Sequence, residues 1–316
     1  MASAFVFSDD TVLCQQTPDG WWPLQVQLPQ TRPNPDDSGH PQAYQVGHVT
    51  LLESLAPNHW LSDGLPDDSI DIKRKISDIN TFTAQAASAI TYDYAVAHNV
   101  ALPLVAESSS NVFLPYRQLI TQLPVALITQ ISQAIQLLRW QTDTRFCSRC
   151  AAAVVHADRG ERAMVCPVCR LRQYPRVQPC VITAITRPNP QTGEMQVLLA
   201  HHHRYGEQTL PRLYGLIAGF VEVGESLEHA VVREVAEEVN ISVADIRYVS
   251  SQPWPFPSNL MLGFRASYAG GDIVIQEDEL SHADFFDVSN LPKIPSKGSI
   301  AYELIAQIAH EQGITL

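Results

Sequence analysis

Glu234, Glu237 and Glu238 are the residues whose types and spacing could most readily do chemistry. At about 100° per residue a helix places the three carboxylates on one face. Val231, Val232, Val235, Ala236 and Val239 fall on a separate apolar face. Crowded carboxylates repel at neutral pH, so the arrangement costs stability unless cations sit among them. Hard divalent ions with oxygen ligands, Mg²⁺ or Mn²⁺, fit that need. Gly219 and Gly224 bracket the loop that feeds the helix, and Ser226 is its expected N-cap. The bland alternative is a solvated glutamate-rich face. The bracketing glycines, Glu225 and Arg233 weigh against it.

A second constellation is Cys147-x-x-Cys150, then fifteen residues, then Cys166-x-x-Cys169. Two such pairs have the spacing of a four-thiolate zinc site. A redox dithiol needs only one pair. With four protein ligands the ion has no open position, so one structural zinc per chain is expected. Nearby Arg149, Arg159, Arg162, Arg170 and Arg172 are expected on a solvated face rather than against a polyanion. Cys180 sits in an apolar run and is expected to be inert core. Cys14 has no assigned role.

Past the glutamates comes Ser251-Gln-Pro-Trp254-Pro-Phe256-Pro-Ser258-Asn259-Leu-Met261. Three prolines predict a stiff loop that presents aromatic rings, and rings can stack on a base. A core-packing loop is the alternative. His201-His202-His203 ends an expected strand and is taken as surface or substrate-adjacent, not as a metal cluster.

Elements must position these groups. Strands are expected at Pro179–Thr186, Met195–Ala200, Ile246–Ser250, Met261–Tyr268 and Phe285–Val288, with helices at Ser226–Val239 and Gly298–Glu311. Strands interleaved with helices imply an α/β/α sandwich. Residues 1–140 carry weaker signals and no recognisable chemistry. They contain a turn-rich stretch at Gln30–Gln42, a possible strand at Val46–Leu52, and helical spacing at Ser77–His98 and Ala126–Trp140. The expected domains are 1–140, an N-terminal α/β domain; 141–176, a zinc ribbon; and 177–316, a mixed-sheet sandwich. The fold class is α+β.

The 316 residues are 45% hydrophobic and 17% charged, which excludes wholesale disorder. A net charge of −12 argues against a chain-wide duplex-DNA binder. The N-terminal residues make a poor signal peptide, the last four are not a peroxisomal signal, and no apolar run is long enough to span a bilayer. A cytoplasmic location is expected.

The glutamate segment resembles the Nudix box, G-x5-E-x7-R-E-U-x-E-E-x-G-U, from Gly219 to Ile241. Asn240 stands at the second glycine, a helix C′ position where left-handed geometry is needed and Asn is next best. The ribbon, Tyr174-Pro175, the box, the Pro-Trp-Pro-Phe-Pro loop, and Gly271–Ile275 followed by Glu279 together resemble the NADH pyrophosphatase family. The likeness covers residues 140–310. Two small departures are Asn259 for a serine, and Ala151 where a glycine often follows the knuckle.

That resemblance implies metal-dependent hydrolysis of NADH or NAD⁺ to nicotinamide mononucleotide and AMP. Relatives also remove NAD caps from RNA 5′ ends. It implies a homodimer whose nicotinamide pocket is built from both subunits. Glu234, Glu237, Glu238 and Glu279 would be the catalytic and Mg²⁺/Mn²⁺-binding residues. Phe220, Trp254, Tyr174, Ser258, Met261 and Ala301 would hold the substrate. Water would attack one phosphorus in line, with Glu238 as the expected base and Glu225 a helper. The alternatives are a Nudix hydrolase of another dinucleotide such as ADP-ribose, or a non-catalytic nucleotide-sensing, nucleic-acid-binding zinc-ribbon protein.

Overall fold

Phe5 and Phe7 alternate along β1 (Ser3–Ser8), and Val12, Leu13 and Cys14 fill β2 (Thr11–Thr17); all five are buried. This is a computed structural model, and it describes residues 3–8, 10–18, 20–27, 44–46, 49–54, 89–90, 111–157, 162–206 and 211–316. The chain divides into two compact units, Met1–Arg176 and Val177–Leu316.

In the first unit, β3 (Gly20–Pro23), β4 (Gln25–Gln27), β5 (Tyr44–Val46), β6 (Val49–Ser54), β7 (Ala89–Ile90) and β8 (Asn111–Pro115) join β1 and β2 in an antiparallel sheet. The strand expected over Val46–Leu52 is present as β6 from Val49 onward, while Val46 ends β5 and pairs with Val49. The stretch Gln30–Gln42 lies outside the described residues. So does most of Ser77–His98, whose described pair Ala89–Ile90 is strand, not helix. A short helix α1 (Tyr116–Leu119) precedes α2 (Val125–Asp143). On α2 the expected stripe is real: Leu127, Ile128, Ile131, Ile135 and Leu138 are buried. The ribbon follows, with β9 (Val155–His156), β10 (Met164–Val165) and β11 (Arg172–Gln173) in one small sheet.

The second unit is built on β12 (Gln178–Pro188), β13 (Met195–His202), β14 (Ile217–Phe220), β15 (Ser242–Trp254), β16 (Asn259–Gly270) and β17 (Leu280–Asp287). Their order is β15-β16-β12-β13-β17, with β14 added beside β12. β12 runs parallel to β16 and its other pairings are antiparallel, so the sheet is mixed. Central β12 and β13 read as near-continuous apolar runs because both faces are covered. On one face Val181, Ile185, Leu198 and Ala200 meet Val231, Val235 and Val239 of α3 (Leu227–Val239). On the other, Ile182, Ala184, Val197 and Leu199 meet Leu304, Ile305 and Ile308 of α4 (Ile300–Glu311). The alternation is the period of two expected of a strand.

The proline-rich segment is less of a loop than expected. Pro253 and Trp254 end β15, where they pair with Leu260 and Asn259, and only residues 255–258 turn. β15 is an edge strand, where a missing N–H costs no ladder bond.

Candidate active site

The two cysteine knuckles are near copies of each other. Arg149 N–H donates to Cys147 Sγ, and Cys169 N–H donates to Cys166 Sγ, both at 3.4 Å. The turns close through Ala151 N–H to Cys147 O (2.9 Å) and Arg170 N–H to Cys166 O (3.0 Å). Ala151 and Arg170 are both left-handed, with φ of 60° and 62°. The four sulfurs lie within 4.8 Å of one another; Cys147–Cys169 is 3.5 Å and Cys150–Cys166 3.4 Å. Those separations suit four thiolates at about 2.3 Å from one tetrahedral ion. The backbone N–H of Cys169 leads in holding the Cys166 thiol down, to about 6, which favours the ligating thiolate. Arg149, Arg170 and Arg172 are exposed, as expected of a solvated face, but Arg162 is half-buried, and Arg159 lies outside the described residues. Buried Cys180 is pushed up to about 12 by desolvation, which fits an inert thiol.

In the second unit, β14 delivers Gly219, and the loop after it delivers Gly224 at φ 83°. Ser226 caps α3 by accepting from His229 N–H at 3.2 Å. The helix ends at Asn240, left-handed at φ 57°, ψ 30°, as its place in the motif demands. A Cβ on Gly219 would lie 1.9 to 2.1 Å from the Glu234 carboxylate, so only glycine leaves room for that acid.

Arg233 organises the acids. Its Nε and Nη2 donate to the two oxygens of Glu225 at 2.9 and 2.8 Å, a bidentate pair. Its Nη1 reaches Glu234 at 2.8 Å and Glu237 at 2.9 Å, and its Nη2 reaches Phe220 O at 2.8 Å. Arg233 and the Glu222 N–H hold the Glu225 carboxyl down, to about 2. Burial pushes Glu234 up.

Glu238 differs from its neighbours. It is 2% exposed, and Oε2 has no hydrogen-bond partner among the described residues. Burial, then the charges of Glu234 and Glu279, push it up to about 8. An isolated carboxylate in that position is costly. A cation beside it, Glu234 and Glu279 would remove the cost, so the residues present fit a divalent metal. Glu237 is set apart, with its side chain 54% exposed and paired to Arg233. Among the described residues the four thiols are the one group whose ligand atoms all gather within 4.8 Å; the four acids are spread more widely.

Of the expected substrate residues, Phe220 and Met261 are Cα partners of Cys180 from its two sides, and Gln252 continues the same row beyond Met261. Met261 packs in the α4-side cluster that contains Ala301. Trp254 stands two residues beyond Gln252, on the same face by strand alternation, with its ring 5.4 Å from Phe256. Ser258 Oγ donates to Gln178 Oε1 at 3.0 Å. Tyr174 belongs to the first unit, just past β11, and is exposed.

Two residues went unassigned in the sequence. Gln252 joins β15 to the start of α4, donating to Gly298 O and accepting from Ile300 N–H, both at 2.8 Å. Arg204 lies close enough to Glu238, Cys180 and His202 to bias all three by its charge. Its only signal was a base just after a histidine-rich strand end. The surface placement expected for the histidines fails for two of them. His201 and His202 are 1% and 2% exposed, because they still belong to covered β13; burial pushes His202 down to about 3.

The chain matches the NUDIX domain over residues 178–308 and the NADH pyrophosphatase zinc ribbon domain over residues 143–174. A relative in Klebsiella pneumoniae (strain 342), named NAD-capped RNA hydrolase NudC, is 46% identical over 60% of this chain and 69% of its own length. The chain belongs to the zinc-ribbon Nudix family. A protein of the same name in Stutzerimonas stutzeri (strain A1501) is 43% identical over 60% of this chain and 64% of its own length. The matched region thus spans about two thirds of these curated Nudix relatives. A solved NUDIX hydrolase of Nitrosomonas europaea aligns with a TM-score of 0.43 at 24% identity, over 54% of this chain and 94% of that one.

Proposed function

We propose that this chain hydrolyses the pyrophosphate of NADH and NAD⁺, giving nicotinamide mononucleotide and AMP. The same chemistry would act on an NAD cap at an RNA 5′ end. The observation that carries the hydrolytic reading is Glu238, a buried carboxyl with an unpartnered oxygen beside Glu234 and Glu279. The substrate class rests on the ribbon family and on what the relatives are named.

Glu234, Glu238 and Glu279, with Glu237 from the exposed side, would hold Mg²⁺ or Mn²⁺. A bound ion supplies positive charge against the pyrophosphate oxygens. With that charge beside it, Glu238 would be ionised and could take a proton from the attacking water. Water adds in line to one phosphorus, the bridging P–O bond breaks, and the departing phosphate oxygen is protonated. Arg233 keeps Glu234 and Glu237 oriented and fastens the end of β14 through Phe220 O.

Carboxylates and nucleoside contacts would approach the substrate from the two faces of one sheet region. Gly219 turns toward Glu234 on the α3 side. Phe220, Met261 and Trp254 share the opposite side. A homodimer belongs to the same reading, with zinc holding the ribbon's shape. No helix among the described residues is long and apolar enough to cross a membrane, and a cytoplasmic place suits such an enzyme.

The test is NADH with Mg²⁺ in ¹⁸O-water, with products read by mass spectrometry. Labelled nicotinamide mononucleotide or AMP is expected, one oxygen per turnover. Faster turnover of ADP-ribose than of NADH would move the assignment to another dinucleotide. No product from either would leave a nucleotide-sensing protein.

A further inference from the structure

Glu279 lies outside the Nudix box, on the chain that connects β16 to β17. Two anchors on that connection are visible. At one end α3 holds it: Val274 N–H donates to Val239 O at 3.2 Å, and Gln276 N–H donates to Glu238 O at 2.9 Å. These N–H groups satisfy carbonyls that the end of a helix leaves open. A tight turn follows, with Glu279 N–H and Leu280 N–H both donating to Gln276 O, at 3.0 and 2.9 Å.

The second anchor is the residue after β13. His203 N–H donates to Glu279 O at 3.0 Å, and its Nε2 lies 3.0 Å from Glu277 O. A carbonyl can only accept, so Nε2 carries the proton in this contact. That holds for the neutral ring and for the imidazolium alike. Just beyond, His201 pairs with His282 but His202 pairs with Leu280. Ser281 is therefore an extra residue in β17, and its Oγ donates to His201 O at 3.3 Å. Such a bulge re-aims a strand where it enters the sheet.

We propose that His203 is a positioning residue for Glu279: its main-chain N–H and its ring grip the Glu277–Glu279 turn from the β13 side while α3 grips it through Glu238 O. The turn is thereby pinned to the same helix residue that carries the buried carboxylate. These main-chain bonds set where Glu279 stands relative to Glu238. In this role His203 acts through the turn and is not itself a metal ligand. This rests on the reading above that Glu279 belongs to the metal site.

The test is Mn²⁺ binding, measured directly by electron paramagnetic resonance of the free ion, with amide exchange of Gln276–Leu280 followed in the metal-free protein. His203→Ala should weaken Mn²⁺ binding about fivefold and speed exchange of the turn amides, the effect of losing one hydrogen bond. His203→Gln keeps a donor at similar reach and should restore both. Equal weakening in the two variants, or none in His203→Ala, overturns the proposal. Glu279→Gln is measured in parallel. Unchanged Mn²⁺ binding there would instead remove Glu279 from the site, a separate failure that the turn exchange rates do not share.

Discussion

The Glu234 carboxylate occupies the space into which a side chain on Gly219 would project, with Cδ 1.9 Å from an ideal Cβ there. The atom in the way is the end of a flexible side chain, so it can move at little cost to folding. Gly219→Ala should therefore leave stability within about 1 kcal/mol of the parent. Turnover should fall by about 100-fold, because the acid is displaced from the site. Thermal unfolding and kcat measured together check this. Loss of both in step would make Gly219 a packing residue only.

Glu238 gives a pH signature. Its folded value is raised to about 8 from 4.5, so between those values the folded state binds more protons than the unfolded state. Stability of the metal-free protein should then fall as pH rises from 4.5 through 8. The loss is on the order of a few kcal/mol. Glu238→Gln should remove this component, so the difference between the two unfolding curves against pH isolates it. The same variant should lower kcat by well over tenfold, about 1.4 kcal/mol of barrier or more. Parallel curves would mean that Glu238 stays ionised in the fold.

The ribbon offers a gain and a loss. Ala151 holds φ 60°, a conformation that costs a residue with a Cβ about 1 kcal/mol. Ala151→Gly should raise stability by a few tenths to about 1 kcal/mol, offset in part by greater freedom of the unfolded chain. Cys166→Ser should lower zinc content and melting temperature together. A Cys166→Ser protein with full zinc and the parent's melting temperature would refute the four-thiolate site.

Trp254 bears on substrate choice. The metal site would touch only phosphate oxygens, so discrimination must come from what holds the nucleoside. Trp254→Ala should lower kcat/KM for NADH roughly 5- to 150-fold, the equivalent of about 1–3 kcal/mol of stacking. ADP-ribose, which lacks nicotinamide, should change far less. Equal losses on both substrates would make the Trp254–Phe256 pair a packing contact.

Features set by residues close together in the chain were legible in the sequence. The Cys-x-x-Cys knuckles, the Ser226 cap and left-handed Asn240 each depend on a few neighbouring backbone groups, and the structure has them where the spacing put them. The covered strands β12 and β13 were equally plain, since burial on a face leaves a period; on α3 the stripe is narrower than expected, with Val231, Val235 and Val239 buried but Val232 and Ala236 exposed.

What distant segments decide was not legible. Glu237 and Glu238 are adjacent on one helix and identical in chemistry, yet one is exposed on Arg233 and the other is buried, with an oxygen that has no hydrogen-bond partner among the described residues. The packing of the sheet, β14 included, against one side of α3 separates them. The sequence leaves His201 and His202 as surface or substrate-adjacent, and the fold removes the first option by burying both. In the fold β17 and the Leu213–Gly215 segment still cover that end, with His201 Nδ1 2.8 Å from Leu213 O. Pro253 argued for a loop until the sheet order made β15 an edge. Sequence alone determined which groups could bind metal and how their local backbone turns. Tertiary structure decided which carboxylate loses its water, because desolvation is imposed by residues far away in the chain.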